Sequence, residues 1–334
     1  MIKKNNQKLV ETALEIFKRR GEKALDVAKK TILQEKIEYK PIYDALRYFS
    51  QEIWLDFKHP ALLSLACEAV GGNPEIVLDI GAAIAMLSGA ADIHDDIIDK
   101  SETKASKLTV YGKFGYDIAL LVGDALLFEG LLLLHEACGK LQKAQAKKIL
   151  ELVKNAFIEI GVAEVKETVL RRKLDLNPTD YLDVIMRRAS VAEVCMRIGA
   201  VLGGGSTKEV NVLGHYGRTL GILMTIRDEF VDIFEPNELK HRVENECLPL
   251  PLLYAFQTPK VRDRIIKILK KETIGENDVY KIISLIMKTK GVQRMKRKMC
   301  LLVKNEIKNL SLIKNNTAVM EELITILKAG LEDL

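Results

Sequence analysis

Two short acidic runs could do chemistry in this sequence. One is His94-Asp95-Asp96-Ile97-Ile98-Asp99; the other is Asp228-Glu229-Phe230-Val231-Asp232. On a helix, side chains four residues apart stack on one face, with about 5–6 Å between Cβ atoms. Asp95 with Asp99, and Asp228 with Asp232, are such pairs. Carboxylates that close repel each other unless a divalent cation lies between them, and a hard cation such as Mg²⁺ takes carboxylate oxygens together with phosphate oxygens. A solvated acidic helix end is the alternative, and the apolar neighbours Ile93, Ile97 and Ile98 weigh against it. Both runs end apolar stretches, so they read as two walls of one cavity. Mg²⁺ held there, three ions in all, would grip a diphosphate and help it leave as an anion. Asp95, Asp99 and Asp228 are the expected metal ligands, with Asp96, Glu229 and Asp232 beside them.

The elements that must hold these runs are helices. Prolines are few, and glycines gather at 71–72 and 203–205. Between these breaks the apolar residues recur at helical spacing, as in Leu9, Ala13, Ile16 and Phe17. Pro60 fits the first turn of a helix ending near Gly71-Gly72, and Pro74 opens another reaching about Lys100. Long helices are expected over 117–135, 140–159, 180–202 and 208–234, with shorter ones over 248–257, 260–271, 277–288 and 317–332. No alternating strand run appears. The fold expected is all-α: one large helical bundle over residues 1–334, whose small and aliphatic helix from Ile76 to Ile93 sits at the centre beside a deep apolar cavity.

Composition narrows the function class. The 334 residues carry 51 Lys and Arg against 46 Asp and Glu, a net charge of +5 too thinly spread to argue for nucleic acid. Hydrophobic residues make up 48% and charged residues 29%, which excludes a disordered or collagen-like chain. Cys67, Cys138, Cys195, Cys247 and Cys300 show no metal spacing and read as buried reduced thiols, which implies a cytoplasmic location. The charged N-terminus lacks the apolar core of a secretory signal. The window Ile118–Leu134 is apolar enough to span a membrane, but it contains Asp124 and Glu129, so a buried helix is expected instead of a transmembrane segment. Its leucines are too many to face water, which predicts a twofold dimer with this helix at the contact.

With these residues in place, the sequence resembles the polyprenyl synthetase, or trans-prenyltransferase, family. Asp95–Asp99 resembles the first aspartate-rich motif of that family and Asp228–Asp232 the second. Gly123-Asp124-Ala125-Leu126-Leu127 resembles its GD-x-L-L segment, and the spacing from Pro60 through Gly71-Gly72 to Asp95 matches without gaps. The resemblance covers about residues 40–255. It implies a bundle of long helices around a deep pocket, usually a homodimer. Mg²⁺ would bind the diphosphate of an allylic prenyl substrate whose tail lies down the bundle. On the substrate side, Lys104 stands at the family's first post-motif arginine and Arg188 at the lysine of its KT pair. Arg242 falls where a lysine of the second-motif region is expected, and Thr225 replaces a glutamine.

The departures concern a second substrate, isopentenyl diphosphate. Where the family has GGKRxRP, this chain reads Trp54-Leu55-Asp56-Phe57-Lys58-His59-Pro60, so the lysine is Asp56 and the following arginine is Phe57. The family's histidine seven residues before the first motif is Ser88, and its second post-motif arginine is Ala105. A diphosphate needs cations or oriented donors, and Asp56 repels it. Lys58, His59 and Lys107 stand close by as partial substitutes. Asp92, one turn before Asp96, is acidic where the pattern is apolar; it could hold water, steady a cation or pair with a base. Small Ala90 and Ala91 imply a floor open to longer tails.

Three readings follow. The favoured one is an enzyme that ionises an allylic prenyl diphosphate with no second diphosphate bound, so that the cation cyclises, loses a proton or meets water, as in terpene synthases. The second is chain elongation with isopentenyl diphosphate, alone or with a partner subunit. The third is a non-catalytic subunit of a hetero-oligomeric prenyl synthase, which the retained aspartates disfavour.

Overall fold

The computed structural model describes residues 2–104, 106–313 and 317–332, with side chains from residue 8 onward. It is almost wholly helical. The first helices are α1 (Ile2–Gln34), α2 (Lys40–Tyr48), α3 (Lys58–Ala69) and α4 (Leu78–Asp99). A π-helical turn at Phe49–Ile53 and a 3₁₀ turn at Pro74–Val77 lie among them. A two-residue antiparallel ribbon, β1 (Thr103–Lys104) with β2 (Lys107–Leu108), follows α4. Then come α5 (Val110–Phe114), α6 (Tyr116–Gly139), α7 (Lys143–Leu170), α8 (Pro178–Arg188), α9 (Ser190–Leu202) and α10 (Thr207–Phe234). The C-terminal third holds α11 (Pro236–Asn245), α12 (Leu250–Phe256), α13 (Pro259–Leu269), α14 (Glu276–Ile286), α15 (Lys290–Leu310) and α16 (Thr317–Ala329).

Local chemistry sets the boundaries that matter for the site. The Asn73 side chain accepts from the Glu75 N–H, and Pro74 follows it, so the 3₁₀ turn starts where a side chain replaces the missing partner. Helix α10 opens with a capping box, in which Ser206 and Glu209 satisfy each other's backbone N–H. Helix α4 ends because Lys100 adopts a left-handed conformation, φ 57°, which reverses the chain immediately after Asp99.

Helix α4 is built from small residues on its inner faces, and Ala82, Ala83, Ala85 and Ala90 are buried. It packs against α6 on one side and α1 and α3 on the other. Helices α3 and α9 approach closely at Gly199, where a Cβ would lie 2.2 Å from the Leu63 carbonyl. Two buried clusters result. One runs from α1 and α3 through α9 and α10 to the C-terminal helices. The other joins the second half of α4 to α2, α6 and Trp54.

Several expectations are corrected. The helix expected over 180–202 is two helices with a break at Ala189, and the one expected over 140–159 runs on to Leu170. Helix α15, 21 residues long, falls in a stretch where no helix was expected. The two-residue ribbon is a strand pair where none was foreseen. Cys300 is exposed, whereas the other four cysteines are buried. Helix α6 is not a buried core helix. Its apolar window is only 33% buried, against 61% for the window that includes α4, although both helices are long and apolar enough to cross a membrane. Leu121, Phe128, Leu131 and Leu132 on α6 are exposed, and so are Phe157, Val165 and Val169 on α7.

Candidate active site

The left-handed Lys100 and the ribbon after it fold Lys104 back over the first acidic run, leaving its Nζ 3.9 Å from Asp96 Oδ1. The Asp92 charge, reinforced by Asp96, Asp95 and Asp99, holds the ammonium well above the ordinary lysine range against its own desolvation. The carboxylates respond in the opposite sense. Desolvation pushes Asp96 up to about 7; Lys104 opposes this, and the charges of Asp92 and Asp95 add to it. Asp99 is likewise raised, first by desolvation and then by the Asp95 charge, although it pairs with Arg171.

Arg188 gathers a second set of acids. Its guanidinium donates to Glu164 through Nε at 2.9 Å and Nη2 at 3.0 Å, and it lies 2.7 Å from Glu167 and 3.5 Å from Asp95. Burial alone would lower its pKa, but Glu167, Asp95 and Glu164 together hold it well up. Glu167 is fully buried. The break at Ala189 lets α8 end with Arg188 aimed at α7 and α4. Glu164, Glu167 and Arg171 were missed from sequence. Glu164 and Glu167 share one face of α7, three residues apart, and Arg171 follows just past its end, a spacing that is the signal that could have found them.

The second run is organised around Arg242 of α11. The guanidinium donates to Asp232 at 2.7 Å, to the Tyr181 hydroxyl at 3.0 Å and to Glu229 at 3.3 Å. Glu229 is 2% exposed and also accepts from the Tyr181 hydroxyl (2.5 Å) and the Leu250 N–H (2.8 Å). Its oxygens are therefore committed, and Glu229 braces the wall instead of offering a free ligand. Arg242, expected to reach a substrate, faces inward onto these carboxylates for the same reason. Thr225 donates to the Gly221 carbonyl of its own helix at 3.0 Å, so its hydroxyl is also spent locally.

The two runs share one source of positive charge. Asp92 and Asp228 are accessible to solvent, yet desolvation raises the pKa of both. The Lys58 charge lowers the pKa of Asp92 and of Asp228 alike, so one ammonium serves both acidic walls. Among the described residues no three acids or imidazoles close around a point as a metal cage. The donor set nevertheless fits a hard divalent cation completed by ligand oxygens. Asp95 Oδ1 is buried with no hydrogen-bond partner, and burial with neighbouring carboxylate charge raises Asp96 and Asp99 despite Lys104 and Arg171.

The wall expected to hold a second diphosphate carries a different network. Asp56 is buried and accepts from the His59 backbone N–H at 3.4 Å, and its other oxygen lies 2.5 Å from His59 Nδ1. Ser88 Oγ lies 3.0 Å from the same nitrogen. Burial would raise the Asp56 pKa, but His59 and then Lys58 hold it well below the ordinary carboxylate range. Lys107 donates to the Glu52 carbonyl at 2.7 Å, away from this network. Ala105 lies outside the described residues.

Helix α6 joins the site through Gly123, whose missing side chain makes room for the His94 imidazole; a Cβ there would lie 2.5 Å from Nε2. That nitrogen lies 3.3 Å from Asp124.

Comparison with known proteins agrees with this architecture. Residues 58–286 match the family model described as polyprenyl synthetase. A short chain isoprenyl diphosphate synthase of Methanothermobacter thermautotrophicus is 27% identical over 231 residues, 68% of this chain and 66% of that protein. A geranylgeranyl diphosphate synthase of Methanosarcina mazei is 28% identical over 190 residues, 57% of this chain and 58% of that protein. The matches thus span between a half and two thirds of these relatives' lengths. The crystal structure of geranylgeranyl pyrophosphate synthetase from Pyrococcus horikoshii superposes with a TM-score of 0.79 at 22% identity, covering 95% of this chain and 98% of that one.

Proposed function

The chain belongs to the polyprenyl synthetase family, and from that premise we propose that it is an enzyme that binds an allylic prenyl diphosphate and ionises it without a second diphosphate beside it. The observation that carries this reading is the contrast between the two walls. The acidic runs, Lys104 and the buried arginines are kept, while the opposite wall holds a buried, ionised Asp56 tied to His59. An isopentenyl diphosphate would meet a carboxylate there, with its neighbouring imidazole already paired.

Asp95, Asp99 and Asp228 would hold Mg²⁺, with Asp96 and Asp232 beside them. When bound, Mg²⁺ neutralises a leaving diphosphate. The protein does the rest through its own side chains. Lys104 and Lys58 set positive charge beside both acidic runs, where an anion would lie. Arg188 and Arg242 keep the two acidic walls in register from behind. The prenyl tail would run past Ala90 and Ala91. The exposed apolar faces of α6 and α7 support a homodimer, and the unpaired cysteines support a reducing, cytoplasmic setting.

The test is incubation of the protein with Mg²⁺ and geranyl, farnesyl or geranylgeranyl diphosphate, with and without isopentenyl diphosphate. The proposal expects diphosphate release that isopentenyl diphosphate neither speeds nor diverts. Chain elongation is the second reading, and the names of the relatives favour it; a longer prenyl diphosphate as product would establish it instead.

A further inference from the structure

The groups lining the wall where a second diphosphate would sit form a connected unit, Asp56–His59–Ser88, and that unit has a chemistry of its own. Asp56 can only accept, so the 2.5 Å contact places the proton on His59 Nδ1. Nε2 then carries a lone pair, and it has no protein hydrogen-bond partner among the described residues. A buried carboxylate behind one imidazole nitrogen fixes the tautomer of the ring and steadies the positive charge it takes on, which is the arrangement of a general base.

The surroundings are polar and wet. Ser88 and Asp92 are four residues apart on α4 and so share its face, and Asp92 is exposed to solvent. The charges felt at the unit are Lys58 on α3 and Asp92 on α4, and the Cys195 thiol on α9 feels Asp56 in turn; Lys104 on the ribbon acts on Asp92, and Lys58 also acts on Asp228 of α10. A hydrocarbon tail gains nothing against such a wall, whereas a water molecule finds several partners.

We infer that His59, oriented by Asp56, is the catalytic base that delivers water to the allylic cation, making the enzyme a prenyl diphosphate hydrolase that yields a prenyl alcohol. This rests on the proposed ionisation of an allylic diphosphate. The allylic C–O bond to the diphosphate breaks and its electron pair leaves with the diphosphate. The water oxygen bonds to the allylic carbon, and one water proton passes to His59 Nε2 and from there to solvent. Prenyl diphosphate and water become prenyl alcohol and diphosphate, with no oxidant or reductant.

The experiment uses the full chain with Mg²⁺ and farnesyl diphosphate in ¹⁸O-water. Released diphosphate and extracted alcohol are measured separately. The wild type should give diphosphate and ¹⁸O-labelled farnesol in equal amounts. His59→Ala should lower alcohol formation by about 10²-fold or more, and added imidazole should restore part of it, a rescue that a merely structural role does not give. His59→Gln keeps the volume, so it serves if the alanine variant unfolds. Asp56→Asn should lower the rate in the same direction. Folded His59 variants that make labelled farnesol at the wild-type rate overturn the inference while leaving ionisation standing. Olefin without alcohol from the wild type does the same. A wild type that releases no diphosphate, or elongates with isopentenyl diphosphate instead, overturns the functional reading and the inference together.

Discussion

Arg242 offers the most decisive perturbation of the site's architecture. It is 6% exposed and holds Asp232, Glu229 and Tyr181, with Glu246 3.4 Å from its Nε. In Arg242→Met the chain keeps a similar apolar stem but leaves Glu229 buried without a cation. Breaking a buried pair by removing one partner costs about 3–5 kcal/mol. Unfolding entropy near 60 °C is about 2.1 cal/mol/K per residue, or about 0.7 kcal/mol/K for this length. The expected fall in Tm is therefore roughly 4–7 °C, read by thermal unfolding followed by circular dichroism. The sign of the pH effect is fixed. The Glu229 pKa in the fold is already raised by desolvation, with Arg242 the largest opposing influence. Removing Arg242 raises it further, so the loss should be small at acidic pH, where Glu229 is protonated, and should grow as pH rises toward 8. Glu229→Gln in the Arg242→Met background should recover stability. A fall of less than about 1 kcal/mol at pH 8, or no recovery in the double variant, would show that the network does not organise this wall.

Four other outcomes are expected. Asp96, held near 7 in the fold against an ordinary value of 3.8, makes the Mg²⁺-free protein lose stability as pH rises from about 4 to 7; Asp96→Asn should flatten that dependence in unfolding curves taken across the range. Asp95→Ala should abolish Mg²⁺-dependent diphosphate release, scored by a phosphate-coupled assay. Isopentenyl diphosphate should show no calorimetric binding to the wild type, and Asp56→Lys with Phe57→Arg should create some. Phe128→Asp with Phe157→Asp, at side chains 65% and 61% exposed, should leave the fold intact and yield a monomer by light scattering if the α6 and α7 faces form the dimer.

The parts legible in the sequence were those encoded locally. The acidic runs, the start of α3, a helical start at Pro74 and the full length of α10 all follow from spacing and turn residues a few positions apart. What the sequence did not show is long-range. Arg188 could be singled out, but not that it would meet Glu164 and Glu167 across a break at Ala189, since partner choice depends on how α7 and α8 pack. Arg242 and Thr225 were expected to face a ligand because a lone polar side chain gives no sign of its neighbours. Helix α15 was passed over because its lysines and arginines mask the spacing of Val292, Met295, Met299 and Val303, all of which are buried. Hydropathy records that α6 avoids water, not which surface covers it; its exposed leucines and Phe128 are what a contact with another copy would cover.

The left-handed turn at Lys100 also has a thermodynamic meaning. It places a cation within five residues of Asp99 along the chain, so the acidic run folds with a counter-charge already tethered to it. An incoming metal ion alone must compete with that resident ammonium for the same carboxylates. An ion arriving with a polyanion does not, because the anion gives Lys104 a new partner as the metal takes the old one. On the proposed function, metal and anion would then enter as cooperative ligands, each raising the affinity for the other by the same factor.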